Sequence, residues 1–268
     1  MIRQMGGQRQ EFMPAWNDEF ITNENAGSDS PYRILLPPDY QAGSRYYPTL
    51  YLLHGLFGSF ENWTELAKLE PVSNLIIVMP EGGDGWYCDT ADRGEMHESR
   101  VVRDLVPEID TRYRTIASRE ARSIAGNSMG GYGALKIALK FRQLFGFAAS
   151  FSGAFEAANW DDQFPPSENW DEYRPSITRI FGSAGSRTRT ENDLYRLAAE
   201  TKGTDVPYIY FDCGISDPFL AANRRLANEL RNSGVVHEFR ILSGGHDWDY
   251  WTTRGSFLTG LVSERSLV

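Results

Sequence analysis

A chain of 268 residues lies near the upper limit for one hydrophobic core, and 41% hydrophobic with 13% aromatic residues is ample material to build it. Lysine and arginine number 27 against 36 aspartate and glutamate, a net charge of −9 that opposes both a phosphate backbone and an anionic bilayer surface. Nucleic acid and membrane partners are therefore not expected, and no apolar run approaches the ~20 residues that cross a bilayer.

The opening segment Met1–Gln10 is polar and lacks the apolar stretch of a secretory signal, so a cytoplasmic protein is expected, a removed leader being the alternative. Cys88 and Cys213 are too few and too far apart for a disulfide framework or a paired-cysteine metal site; free thiols in a reducing compartment are the simplest reading. There is no internal repeat and no low-complexity tract, and one domain over residues 1–268 is expected.

In chain order, the stretch before Pro31 suggests an antiparallel edge hairpin with a strand at Tyr32–Leu36, and strands follow at Thr49–His54 and Leu75–Met79. Val102, Leu105, Ile109 and Tyr113 recur at helical spacing. A strand at Arg122–Gly126 leads into a helix from Met129 to about Phe141, and a further strand covers Phe147–Ser152. Strand Pro207–Asp212 precedes a helix through Phe219, Ala222, Leu226 and Leu230 that stops at Ser233-Gly234, and strand His237–Leu242 closes the series. Runs such as Leu75–Met79 are apolar at every position, as strands covered on both faces are. The alternation predicts an α/β fold: a mostly parallel central sheet with helices on both faces.

One segment breaks the alternation. Phe155 to about Gly185 carries Trp160, Phe164, Trp170 and Tyr173, three prolines, and six acids before its first base, Arg174. A long irregular insertion in a compact domain is either a lid over a site or a surface excursion, and both readings stand.

Gly126-Asn127-Ser128-Met129-Gly130 matches G-x-S-x-G. Alone the pentapeptide is weak, but here a strand precedes it and a helix follows, the setting that lifts a serine hydroxyl above the sheet edge on a strained turn. Its glycines are needed where side chains would clash between strand and helix. A reactive serine needs a base, and the base needs an orienting acid, in the chain order Ser, Asp/Glu, His. Of four histidines, His54 and His97 precede the serine, with His97 on a polar stretch expected to be a solvated helix face. His237 opens a strand and reads as structural; His246, in a glycine-rich loop after the last strand, stands where the base belongs. The acid should follow strand Pro207–Asp212. Asp217 is preferred over Asp212 because a loop carboxylate can swing across the sheet edge; a helix cap would explain Asp217 almost as well in isolation.

The remaining need is a pair of backbone amides to stabilise a tetrahedral oxyanion, worth about 3–4 kcal/mol apiece. Met129, at a helix N-terminus just after the serine, supplies one. Leu56, in the loop His54-Gly55-Leu56-Phe57-Gly58, is assigned the other, with His54 pinning that loop. The stretch at His97 lacks the second histidine of a zinc helix, Glu81–Gly85 lacks the Lys-Ser/Thr of a phosphate loop, and the sequon Asn62-Trp63-Thr64 means nothing without secretion.

Leu53–Gly58, the stretch Asp84–Thr90 (DGWYCDT), the elbow Gly126–Gly133, Asp212-Cys213-Gly214 with Asp217, and Gly244–Trp248 together resemble the esterase D-type esterases, a branch of the α/β-hydrolases. That branch includes S-formylglutathione hydrolases, small bacterial carboxylesterases, feruloyl and acetylxylan esterases and mycolyltransferases. The resemblance spans about Tyr32 to Trp251 and is nearest to the small bacterial esterases through the GWYCDT string. It implies an α/β-hydrolase fold, a Ser128–Asp217–His246 triad, oxyanion amides at Leu56 and Met129, and Trp86 near the acyl pocket; an ordinary buried aromatic is the alternative for Trp86.

The expected reaction is ping-pong acyl transfer to water by a serine carboxylesterase of short-chain esters, without metal or organic cofactor. A thioesterase of the S-formylglutathione type, an acetyl or feruloyl carbohydrate esterase, and a retired hydrolase kept as a binding module are the alternatives. Acyltransfer to another acceptor and homo-oligomerisation stay open at this point.

Overall fold

The structure, a computed structural model, describes residues 16–21, 29–65, 74–90, 94–161, 170–202 and 205–265. Eight strands form one sheet: β1 (Trp16–Ile21), β2 (Ser30–Leu35), β3 (Thr49–Leu53), β4 (Ile76–Pro80), β5 (Arg122–Asn127), β6 (Phe147–Phe151), β7 (Tyr208–Gly214) and β8 (His237–Leu242). Their spatial order is β1-β2-β4-β3-β5-β6-β7-β8. β1 and β2 pair antiparallel, as do β2 and β4, and every pairing from β4 onward is parallel. The expected mostly parallel α/β sheet is present, with the edge hairpin formed by β1 and β2.

The period of two in a strand sends neighbouring side chains to opposite faces. In β3, Tyr51 and Leu53 join a core with Ile34, Val78 and Ile124, whereas Leu50 and Leu52 join a second core with Leu35, Ile77 and Met79. The first face is covered by α1 (Val106–Arg112), α2 (Met129–Lys140), α3 (Trp170–Phe181), α5 (Leu194–Glu200) and α6 (Leu220–Asn232), with the short α4 (Arg187–Asn192) packed between α3 and α5. The second is covered by α7 (Trp248–Arg265), which sets Trp251, Leu258 and Val262 against the sheet.

Differences from the sequence expectation are local. The helix foreseen through Val102 and Ile109 runs as a π-helix over Arg100–Leu105 before becoming α1, with Val101, Val102 and Leu105 turned inward. The stretch at His97 is not a solvated face. Glu98 is buried against the ammonium groups of Lys136 and Lys140, each 2.6 Å away. Residues 162–169 of the Phe155–Gly185 insertion, with Phe164 among them, lie outside the described residues, as does Met1–Gln10. The rest of the insertion is more regular than expected: a turn at Ala157–Asn159, then α3, which buries Ile177, Ile180 and Phe181.

Candidate active site

The turn between β5 and α2 puts Ser128 at φ 52° and ψ −116°, a conformation that costs energy for any residue with a side chain. Close backbone crossing enforces it. A Cβ on Gly130 would lie 2.3 Å from the Leu53 carbonyl oxygen, and one on Gly126 would lie 2.5 Å from the Gly130 carbonyl carbon. The Ser128 amide donates to Phe151 O at 3.0 Å, which ties the elbow to the neighbouring strand.

Two loops from later strands converge on this serine. Nε2 of His246 is 3.0 Å from Ser128 Oγ, and Nδ1 of His246 is 3.0 Å from Asp217 Oδ2. A carboxylate only accepts, so Asp217 fixes the proton on Nδ1 and leaves Nε2 to accept from the serine hydroxyl. The loops are held together by backbone contact: the Ser216 amide donates to Gly244 O at 3.0 Å, and a Cβ on Gly214 would stand 2.4 Å from that same oxygen. The His246 ring is met edge-on by Phe219 at 4.8 Å and by Trp251 at 4.9 Å.

Asp217 does two things with one carboxylate. While Oδ2 faces the imidazole, Oδ1 accepts the Phe219 amide at 2.8 Å and closes the turn into α6. Burial pushes its carboxyl up, but the His246 imidazole and the Phe219 amide hold it below the usual range. Asp212, the acid passed over in favour of Asp217, has a separate task. It is buried within β7 and accepts the hydroxyls of Tyr210 and Tyr250, each at 2.7 Å. Burial pushes its carboxyl up to about 6 despite those two donors.

The loop after β3 crosses the elbow. A Cβ on Gly55 would come within 3.1 Å of Asn127 Nδ2 and 3.4 Å of Ser128 Cβ. Leu56 follows Gly55 directly, and Met129 opens α2 directly after Ser128. His54 anchors this loop: its Nδ1 donates to Gly55 O at 2.8 Å, and the Gly82 amide meets Nε2 at 2.9 Å. Beside it, burial pushes the Glu81 carboxyl up, but the His54 ring and the amides of Gly83 and Phe60 bring it down to about 2. His237 stacks on Phe211 and bonds Val235 O, far from this chemistry.

A cleft of about 220 Å³ opens above the serine, lined by Leu56, Phe57, Asn127, Tyr173, Trp248 and Trp251 together with Ser128 and His246. Phe57 and Tyr173 stack with centroids 6.4 Å apart at its mouth. Trp86 is not among the residues lining this cleft. It is fully buried, its indole N–H donates to Ser176 Oγ at 3.0 Å, and its ring packs edge-on against Tyr132 and Trp160. No group of three or more His, Cys, Asp or Glu side chains is placed to hold a metal ion among the described residues. Sequence reasoning singled out Tyr173 on a segment read as either a lid or a surface excursion, but the proline and acids of that segment concealed its helix; it missed Trp248, which begins a C-terminal helix.

An eight-stranded, mostly parallel sheet that holds a serine on its strand-to-helix elbow, with an imidazole and then a carboxylate within hydrogen-bond reach, is the arrangement of a serine hydrolase of the α/β-hydrolase type. Residues 23–254 match the family model described as "Putative esterase", and the chain belongs to that family. It is 31% identical over 212 residues to an acetyl esterase of Caldicellulosiruptor saccharolyticus, covering 76% of this chain and 78% of that one. It is also 31% identical over 256 residues to the esterase Rv1288 of Mycobacterium tuberculosis, covering 86% of this chain but 55% of that longer protein. Among solved structures, a ferulic acid esterase superposes with a TM-score of 0.79 at 25% identity, covering 95% of this chain and 99% of the other. The protein is a carboxylic ester hydrolase acting on small-molecule esters. No helix among the described residues is long and apolar enough to cross a membrane.

Proposed function

We propose that Ser128, His246 and Asp217 hydrolyse short-chain acyl esters through an acyl-enzyme. The observation that carries this reading is the pair of 3.0 Å contacts running from Ser128 Oγ through the imidazole to Asp217. Nε2 of His246 takes the serine proton as Oγ attacks the ester carbonyl, and Asp217 stabilises the imidazolium that forms. The oxyanion is held by the amides of Leu56 and Met129, aided by the positive end of α2. His246 then protonates the departing alcohol, and a water deprotonated at the same Nε2 releases the acid. Labelling by a fluorophosphonate, abolished in Ser128→Ala, tests the assignment. A wild-type enzyme that resists the reagent would mark a retired hydrolase that only binds.

A second reading concerns the alcohol side. The stacked Phe57 and Tyr173 and the partly exposed Trp248 give the cleft flat apolar walls, which suit an aromatic or a sugar ring. Similarity to an acetyl esterase and a ferulic acid esterase supports an acylated carbohydrate as substrate. Comparing kcat/KM for p-nitrophenyl acetate, acetylated and feruloylated saccharides and S-formylglutathione separates this reading from a simple carboxylesterase and from a thioesterase. We read the chain as one domain in which the insertion around residues 155–185 forms a wall over the site; Tyr173 at the cleft supports this. Two buried, unpaired cysteines support a reducing, cytoplasmic setting.

A further inference from the structure

The GWYC string holds two successive residues with side chains in the left-handed region, Trp86 at φ 51° and Tyr87 at φ 49°. Such a pair persists only where its surroundings insist on it. The insistence comes from both ends. The Trp86 indole is fastened to Ser176 at 3.0 Å, and the Tyr87 carbonyl accepts a bond from the ammonium of Lys136 at 2.5 Å. Lys136 lies in α2, two turns beyond the elbow serine, and has no exposed surface at all. A buried ammonium is retained only with full compensation, and Lys136 has it in Glu98 at 2.6 Å, Cys88 Sγ at 3.1 Å and Asn192 Oδ1 at 3.2 Å. None of these groups touches the cleft chemistry described above, so the reaction itself leaves them without a use.

The strained turn has one evident product, which is the placement of the Tyr87 hydroxyl. That hydroxyl accepts the His54 amide at 3.0 Å and donates to the His54 carbonyl at 3.3 Å, gripping both backbone groups of a single residue. Room for the ring is reserved by two glycines: a Cβ on Gly82 would lie 2.5 Å from Tyr87 Cζ, and one on Gly133 would lie 2.6 Å from Cδ2. His54 is two residues before Leu56, and its carbonyl abuts the elbow, 2.6 Å from where a Gly130 Cβ would stand.

We propose that Tyr87 is a positioning residue for the oxyanion hole: its hydroxyl, braced through Lys136, fixes the His54-Gly55-Leu56 backbone and thereby the aim of the Leu56 amide. The inference rests on the reading of Leu56 as an oxyanion donor.

The test is Tyr87→Phe in the full chain, which keeps the ring and removes only the grip. With p-nitrophenyl acetate, kcat should fall about 10- to 100-fold with KM within about twofold, approaching the loss of an oxyanion donor. Affinity for a trifluoromethyl ketone, which forms a tetrahedral adduct, should weaken by a similar factor. Lys140→Met breaks a contact to Glu98 without touching Tyr87 and should leave kcat unchanged. A Tyr87→Phe enzyme that melts earlier yet keeps kcat and ketone affinity within twofold overturns the proposal. If that variant does not accumulate folded, Lys136→Gln carries the same test with the same readouts. A wild-type chain with neither esterase activity nor fluorophosphonate labelling would instead overturn the underlying assignment of the site.

Discussion

Ser128 Oγ and His246 Nε2 stand 3.0 Å apart although 118 positions separate them in the chain. That proximity is made by the parallel sheet, which delivers the ends of β5, β7 and β8 to one edge. In open α/β sheets the carboxyl ends of the strands are where binding crevices form.

Ser128→Ala should lower kcat by roughly 10⁵–10⁶ while leaving the circular dichroism spectrum unchanged, because the three side chains act as one unit. Ser128→Gly should be equally inactive but more stable, by ~1 kcal/mol in urea unfolding, since it releases the strain of a side chain at positive φ. Near-normal turnover in either variant would rule out the serine as nucleophile.

Gly130→Ala places a methyl group 2.3 Å from the Leu53 carbonyl oxygen, a backbone atom that cannot rotate away. The elbow must open to admit it. Destabilisation of about 3 kcal/mol or more is expected, with loss of activity; a urea midpoint equal to wild type would contradict the crossing described here.

The Glu81 carboxyl, held down at about 2 against an ordinary value of 4.5, gives a pH signature. Between those values the unfolded chain binds more protons at this site than the folded one, so the stabilisation is complete above about pH 4.5 and is lost as pH falls through about 2. The stability gap between wild type and Glu81→Gln should therefore be widest near neutrality and shrink as unfolding is followed from pH 5 to pH 2. A gap that stays constant over that range would show that Glu81 carries no such linkage.

Removing either half of the stacked pair at the cleft mouth, by Phe57→Ala or Tyr173→Ala, should raise KM for aryl or sugar esters about threefold to tenfold, the worth of one aromatic contact. Ethyl acetate has no ring to stack and should be hydrolysed as before. Equal losses on both substrates would mean the pair serves the fold and not the alcohol.

The middle of the sheet was legible because β3 and β4 are short, almost continuously apolar runs, and the elbow because glycine spacing and the strand-to-helix change coincide at Ser128. The helix Trp170–Phe181 was not, since its inward residues Ile177, Ile180 and Phe181 come only after two acids and Pro175, a residue that reads as a helix breaker. The burial of Glu98 was hidden for another reason. Its cationic partners lie 38 and 42 residues away on α2, and local reading sees a charged residue in polar surroundings. Asp212 likewise gives no local hint that Tyr250 reaches back to it from the start of the C-terminal helix.

The two oxygens of Asp217 carry separate duties, one toward the imidazole and one toward the first turn before α6. A lineage that ceased to need hydrolysis could not discard this side chain freely, because the helix entrance would fray along with the proton relay. An acid at this position is thus a poor witness to activity, and its persistence in an inert descendant would reflect architecture alone.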